Sequence, residues 1–248
     1  MILRDHLAQQ GNWLFRHRSF LPLLLLPLAI VALPDSGSLD GLFGDGVEDA
    51  CEIISLVISL AGLALRCATV GFVPGGTSGR NTRSQRAEFL NTTGFYSLMR
   101  HPLYVGNFLM IIGIALNTKA LWFTAIVAVA FWIYYERIMM AEEAFLSEKF
   151  GDSYRRWAER TPVLMIRPSR WQAPVLPFSW RTVLRREYNG LLLICLSFGV
   201  WNLIEDIFFE NDAEPDPGWL LVIAFGVVAF LVLRGLKKRT RLLDVAGR

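Results

Sequence analysis

A chain of 248 residues that is 53% hydrophobic, with a mean hydropathy of +0.38 and apolar runs divided by short polar loops, fits a multi-span membrane protein better than a soluble domain around one core. The formal net charge of +3 conceals an uneven placement of Lys and Arg at the flanks of the apolar runs, where they face anionic headgroups, and this excludes nucleic acid as a partner. Cys51, Cys67 and Cys195 are widely spaced without a CxxC pair, and His6, His17 and His101 form no cluster, so neither a disulfide framework nor a metal site is indicated.

In chain order, residues 1–19 mix Trp13 and Phe15 with Arg16 and Arg18, the composition of an interfacial anchor. Phe20 to Leu33 reads as an uncleaved first span, because its basic lead is long and Pro34 suits a small-residue cleavage site poorly. Cys51 to Val73 is the second apolar stretch, and Arg66 within it reads as a snorkelling side chain or an interhelical partner. The loop from Pro74 to Asn91 contains Gly75, Gly76 and Gly79 but lacks the GK[ST] of a phosphate loop and any strand-turn-helix context. Pro102 fits the first turn of a third helix, Leu103 to Leu116, and Asn117-Thr118-Lys119 makes a tight turn into a fourth, Ala120 to Tyr135. These two must be antiparallel neighbours. No Gly or Pro occurs from Ala120 to Lys149 while the pattern turns amphipathic near Glu136, so the fourth helix continues beyond the membrane. Pro162, Pro168, Trp171, Pro174, Pro177 and Trp180 mark a cover along the interface, and Gly190 to Ile207 and Gly218 to Leu233 form a closing hairpin. Glu205 and Asp206 are expected to reach the outer interface.

A helix rises about 1.5 Å per residue against a hydrocarbon core of roughly 30 Å, so the first and third stretches are short for a span. The expected fold class is therefore all-α and polytopic, with five to six transmembrane helices and a cytoplasmic helical extension. With alternating sides, all 25 Lys and Arg except Lys119 and the intramembrane Arg66 fall on one side, while the loops around Asp35 to Asp49 and Glu210 to Asp216 are acidic without a base. Both termini are then cytoplasmic, in the plasma or inner membrane of a bacterium or the endoplasmic reticulum of a eukaryote. The expected division is residues 1–73 as N-terminal spans, 74–189 as a catalytic core with its hairpin and cover, and 190–248 as a C-terminal hairpin with a basic tail.

The antiparallel hairpin brings Arg100, His101 and Tyr104 close to Tyr135 and Glu136, with Glu142 and Glu143 about two turns further on. Taken singly, Arg100-His101-Pro102 is a positive flank before a helix-starting proline, and Glu142-Glu143 is a solvated helix face. Together, Arg-His-Pro-x-Tyr-x-Gly at Arg100 to Gly106, Glu142-Glu143, and Phe-Gly-x-x-Tyr-x-x-aromatic at Phe150 to Trp157 form an ordered set. With this set, from about Thr77 to Ile166, the chain resembles the integral-membrane isoprenylcysteine carboxyl methyltransferases and phospholipid methyltransferases. The resemblance implies S-adenosyl-L-methionine as cofactor, bound by Tyr96, His101, Pro102, Tyr104 and Glu142 with Leu90 and Asn91 on the approach. The residue chemistry agrees: carboxylates and aromatic faces favour a sulfonium and an ammonium, and Arg or His donors suit a carboxylate.

The catalytic candidates are Arg100, Arg137 and Glu143. Where prenylcysteine methyltransferases place an arginine shortly before the glutamates, this chain has Ile138, with Arg137 one residue earlier. The expected function is methylation of a carboxylate, phosphate or amine on a membrane lipid or lipidated molecule at the cytoplasmic face. With no dedicated base beyond His101 and the glutamates, an anionic oxygen suits the site better than an ammonium that must first lose a proton. The rivals are an NADPH-dependent membrane reductase of related helical architecture and a non-enzymatic transporter or scaffold. The acceptor and the oligomeric state are left open.

Overall fold

The computed structural model describes residues 3–17, 20–36, 45–77, 87–208 and 216–248. Arg18, Arg80, Arg83 and Arg86, and most of the two acidic loops, lie outside the described residues, so the charge asymmetry is described only in part. Helices account for the regular structure throughout: α1 (Leu3–His17), α2 (Leu26–Ser36), α3 (Asp45–Phe72), the single turn α4 (Phe95–Leu98), α5 (Pro102–Leu116), α6 (Leu121–Phe150), α7 (Asp152–Arg160), α8 (Trp180–Phe208) and α9 (Pro217–Arg239). The protein is an all-helical polytopic membrane protein. Among the described residues, α3, α6, α8 and α9 contain stretches long and apolar enough to cross a bilayer, whereas α5 and the stretch Leu23–Asp35 are shorter apolar helices.

The first apolar stretch is not one continuous helix. A 3-10 segment, Leu21–Leu25, precedes α2, and Pro34 inside α2 removes a backbone donor from its ladder. α5 begins as expected, with His101 as its N-cap and Pro102 inside its first turn. Lys119 takes φ 59° in the turn into α6, and α6 then runs unbroken for 30 residues until Gly151, at φ 53°, ends it.

Small residues set the closest helix contact. A Cβ on Gly106 would lie 2.9 Å from the carbonyl oxygen of Gly62 and 2.5 Å from Arg66 Cγ, and one on Gly113 would lie 2.3 Å from Ser59 Oγ. α3 and α5 therefore pack backbone to backbone, the usual solution where lipid provides no hydrophobic drive between helices. Ser59 Oγ adds a hydrogen bond to the Met110 carbonyl at 2.9 Å. Leu63, Met110, Ile194 and Phe198 join α3, α5 and α8 into one core, with Trp219 of α9 against it.

α1 is more than an interfacial anchor. Gly11 lets it press against the Arg137 carbonyl of α6, and Tyr134 Oη donates to the Leu14 carbonyl at 3.2 Å. Glu205 likewise departs from expectation: instead of reaching the interface it is buried, accepting from Lys119 Nζ at 3.2 Å and from Trp201 Nε1 at 2.8 Å. An ion in the bundle needs a partner more than it needs the headgroups, and the turn before α6 supplies one. α8 begins at Trp180, ahead of its apolar run, so one helix passes through the expected boundary between residues 189 and 190.

At the end of the bundle that carries the Arg-His-Pro motif, the Pro- and Trp-rich segment is pinned by its backbone. Arg100 N donates to the Pro162 carbonyl at 2.8 Å, His101 N to Val163 at 3.2 Å, Gly94 N to Gln172 at 2.9 Å, and Ser179 N to Gly71 at 2.9 Å. The tail comes to the same end, where Gly75 N donates to the Gly247 carbonyl at 2.7 Å and Arg185 pairs with Asp244 at 3.1 Å.

Candidate active site

The motif is held in place before any of its side chains act. Gly94 turns the chain at φ 60°, a conformation that favours glycine, and Ser97 Oγ both donates to the Gly94 carbonyl at 2.6 Å and accepts from Gln172 N at 3.0 Å. Met99 is wholly buried, and the cover fixes the backbone of Arg100 and His101 on its other side. His101 caps α5 and Tyr104 lies in its first turn, so both are set by the anchored backbone before them.

Glu142 and Glu143 meet them from α6. Tyr104 Oη donates to Glu142 Oε2 at 2.8 Å, Arg100 Nη1 donates to Glu143 Oε1 at 2.8 Å, and His101 Nε2 lies 3.1 Å from the same Glu143 oxygen. His101 Nδ1 is 3.8 Å from Glu142 Oε2, so the imidazole sits between the two carboxylates. The side chains of Glu142 and Glu143 are 34% and 23% exposed, against 5% for His101, which leaves the acids at the mouth and the ring behind them. His101 stacks on Tyr104 at 5.4 Å, and Tyr104 in turn packs on Tyr135 at 5.0 Å.

Tyr154 of α7 closes the group from behind. Its hydroxyl is buried beside the Arg100 guanidinium, short of well-formed hydrogen-bond geometry to Arg100 Nε. Burial pushes the Tyr154 phenol above its ordinary value of 10.0, Glu143 pushes it the same way, and Arg100 opposes them. Two carboxylates facing one guanidinium leave a surplus of negative charge, the sign that attracts a sulfonium or an ammonium. The aromatic faces of Tyr104 and Tyr135 add to the same preference.

A family model described as phospholipid methyltransferase matches residues 79–153, which include Arg100, His101, Tyr104, Glu142 and Glu143. CzcN of Cupriavidus metallidurans, named a cobalt-zinc-cadmium resistance protein, is 31% identical over 199 residues, 77% of this chain and 86% of that protein. A protein-S-isoprenylcysteine O-methyltransferase of Schizosaccharomyces pombe is 30% identical over 81 residues, 33% of this chain and 34% of that one. The chain belongs to the integral-membrane phospholipid and isoprenylcysteine methyltransferase family. NccN of Alcaligenes xylosoxydans xylosoxydans, a nickel-cobalt-cadmium resistance protein, is a further relative, 30% identical over 164 residues, 65% of this chain and 70% of that protein. No solved structure matches.

Of the residues singled out in this membrane methyltransferase, Arg100, His101, Pro102, Tyr104, Glu142 and Glu143 are brought together. Arg137 is not. Its Nε donates to Gln10 Oε1 at 3.1 Å and its Nη1 to the Ile133 carbonyl at 2.7 Å, because Arg137 and Ala141, one turn apart, lie on the α6 face packed against α1. Leu90 and Asn91 are half-buried on the approach, where Asn91 Oδ1 accepts locally from Thr93 N and Oγ1, both at 3.2 Å. Tyr96 sits in α4, its carbonyl accepting from Trp157 Nε1 at 3.2 Å, which ties the tyrosine motif of α7 to the motif backbone.

Two participants escape a reading of the sequence: Asn107 and Glu187. Arg66 is an interhelical partner, donating from Nε and Nη2 to Glu187 at 2.8 and 3.0 Å and from Nη1 to Asn107 Oδ1 at 2.5 Å. An amide one turn beyond Tyr104 in an apolar helix was the available signal. Glu187, behind Arg185 and Arg186, looks like part of a basic flank.

Proposed function

We propose that this methyltransferase uses S-adenosyl-L-methionine to methylate a polar group, best an anionic oxygen, on a membrane lipid or lipidated molecule at the cytoplasmic face. The observation that supports this reading most is the convergence of Tyr104 and Glu142 at 2.8 Å beside Arg100, His101 and Glu143, all at the rim of one helix hairpin. Bound there, the cofactor supplies an electrophilic methyl group on a sulfonium. Glu142 and the Tyr104 ring would hold its cationic groups.

The chain's own part is positioning. Arg100 and His101 keep Glu143 fixed, the cover lies against the backbone of Arg100 and His101, and an apolar chain would have to reach the rim from the membrane side. Alignment of acceptor and donor can contribute roughly 7 to 11 kcal/mol, so little acid-base assistance is needed for an anionic acceptor. The family match favours methyl transfer over the reductase and the transporter or scaffold readings. The relatives named for metal resistance suggest a setting in which a methylated headgroup, with its altered charge or hydrogen bonding, changes how the membrane meets cations.

The experiment is to incubate membranes carrying the protein with methyl-labelled cofactor. Label in the lipid extract, released by mild base when the product is an ester, is the expected result. Label in neither lipid nor lipidated protein would overturn the proposal.

A further inference from the structure

We propose that Asn107 is a positioning residue that ties the intramembrane Arg66–Glu187 pair to the aromatic wall of the active site, and so sets the spacing of Tyr104 from Glu142. The inference rests on the cofactor reading above and deepens it.

A charged Arg66 inside α3 needs compensation, and the two oxygens of Glu187 take two of its donors from α8. Its remaining Nη1 donates to Asn107 Oδ1 at 2.5 Å. A guanidinium can only donate, so the amide of Asn107 must turn its oxygen to Arg66 and its NH2 the other way. That NH2 donates to Tyr135 Oη at 3.0 Å, across from α5 to α6. The ion pair thereby fixes the polarity of a hydrogen bond on the far side of α5.

Tyr135 is stacked on Phe131 at 4.1 Å and packed on Tyr104 at 5.0 Å, so its hydroxyl and its ring are held by different neighbours. Tyr104 and Asn107 lie three residues apart on one face of α5, while Tyr135 and Glu142 lie seven apart on one face of α6. The α5–α6 gap is consequently spanned at two heights, by Asn107–Tyr135 deeper and by Tyr104–Glu142 at the mouth. α5 is otherwise fastened to α3 by its glycines, and α6 to α1 by Tyr134 and the close approach at Gly11. The deeper bond is what keeps the mouth in register when a ligand replaces or bridges the upper one.

Asn107→Leu keeps the volume but offers no N–H to Tyr135, and Tyr135→Phe keeps the ring but loses the acceptor. Both are near-isosteric, so folding is preserved; melting temperature provides the control. With the purified full chain in lipid nanodiscs, S-adenosylmethionine is titrated into wild type, each single variant and the double variant. Each single substitution is expected to weaken binding about five- to tenfold, and the double no more than the worse single, because both break one link. Unchanged affinity in both variants, or additive losses, while wild type binds, would overturn the positioning role alone. A wild type that binds no cofactor would overturn the cofactor reading and this inference with it. Altered melting with unaltered affinity would make the network structural only, and would also overturn it.

Discussion

At the scale of single residues, the site divides its two acids. Glu143 is engaged by Arg100 and His101, while Glu142, more exposed, accepts from Tyr104 and lies 3.8 Å from His101 Nδ1. Glu143→Gln should weaken its hold on Arg100 and lower methyl transfer more than cofactor affinity, a difference read by comparing kcat with the binding constant. Tyr154 permits a sharper separation. Its hydroxyl is buried beside Arg100, so Tyr154→Phe should change stability by no more than about 1 kcal/mol, while reducing ligand affinity if that hydroxyl serves a bound group. The alkaline side gives the sign. Because burial raises this phenol above 10.0 in the folded state, its contribution is intact below that ordinary value and is lost as pH rises through the folded one. Tyr154→Phe should therefore flatten the fall in melting temperature above about pH 10, to the extent that this residue causes it. An unaltered fall would assign it to other groups.

At the scale of elements, the hairpin of α5 and α6 was legible in the residues that make it: Pro102 can start a helix, Asn117-Thr118-Lys119 can turn one, and nothing between Leu121 and Phe150 interrupts one. Rise per residue sets Tyr104 level with Tyr135, on which it packs at 5.0 Å, whereas its bond to Glu142, further along α6, did not follow from rise alone. Which side of α6 Arg137 occupies did not follow, since that depends on α1, more than a hundred residues earlier in the chain, docking through Gly11. Arg66 and Glu187, separated by 121 positions, were equally beyond local pattern. So was the early start of α8, whose first turns are charged. The α3–α5 contact offers a test at this scale. Gly113→Leu would drive a side chain into Ser59 and the Ser55 carbonyl, where backbone atoms cannot step aside, and should cost about 1 to 3 kcal/mol or more. Loss of cooperative melting in detergent is the expected readout, while Gly235→Leu, at a position with open space, should be silent.

At the scale of the whole molecule, one end of the bundle gathers the Arg-His-Pro motif, the Pro- and Trp-rich cover and the docked tail, and the opposite end has the buried Lys119–Glu205 pair. Placing the motif end in the cytoplasm matches the basic residues near it with the positive-inside rule. Cysteine labelling in sealed, inside-out vesicles should modify Ser169→Cys with a membrane-impermeant maleimide and spare Leu121→Cys; the reverse would invert the topology. On the proposed function, the Tyr104–Glu142 rim holds a sulfonium donor. Calorimetric titration of S-adenosylmethionine into the purified protein tests it most directly. Saturable binding at one site, weakened about 10- to 100-fold by Glu142→Gln and again by Tyr104→Ala, is the expected result. No binding to wild type, or equal binding to both variants, would contradict it.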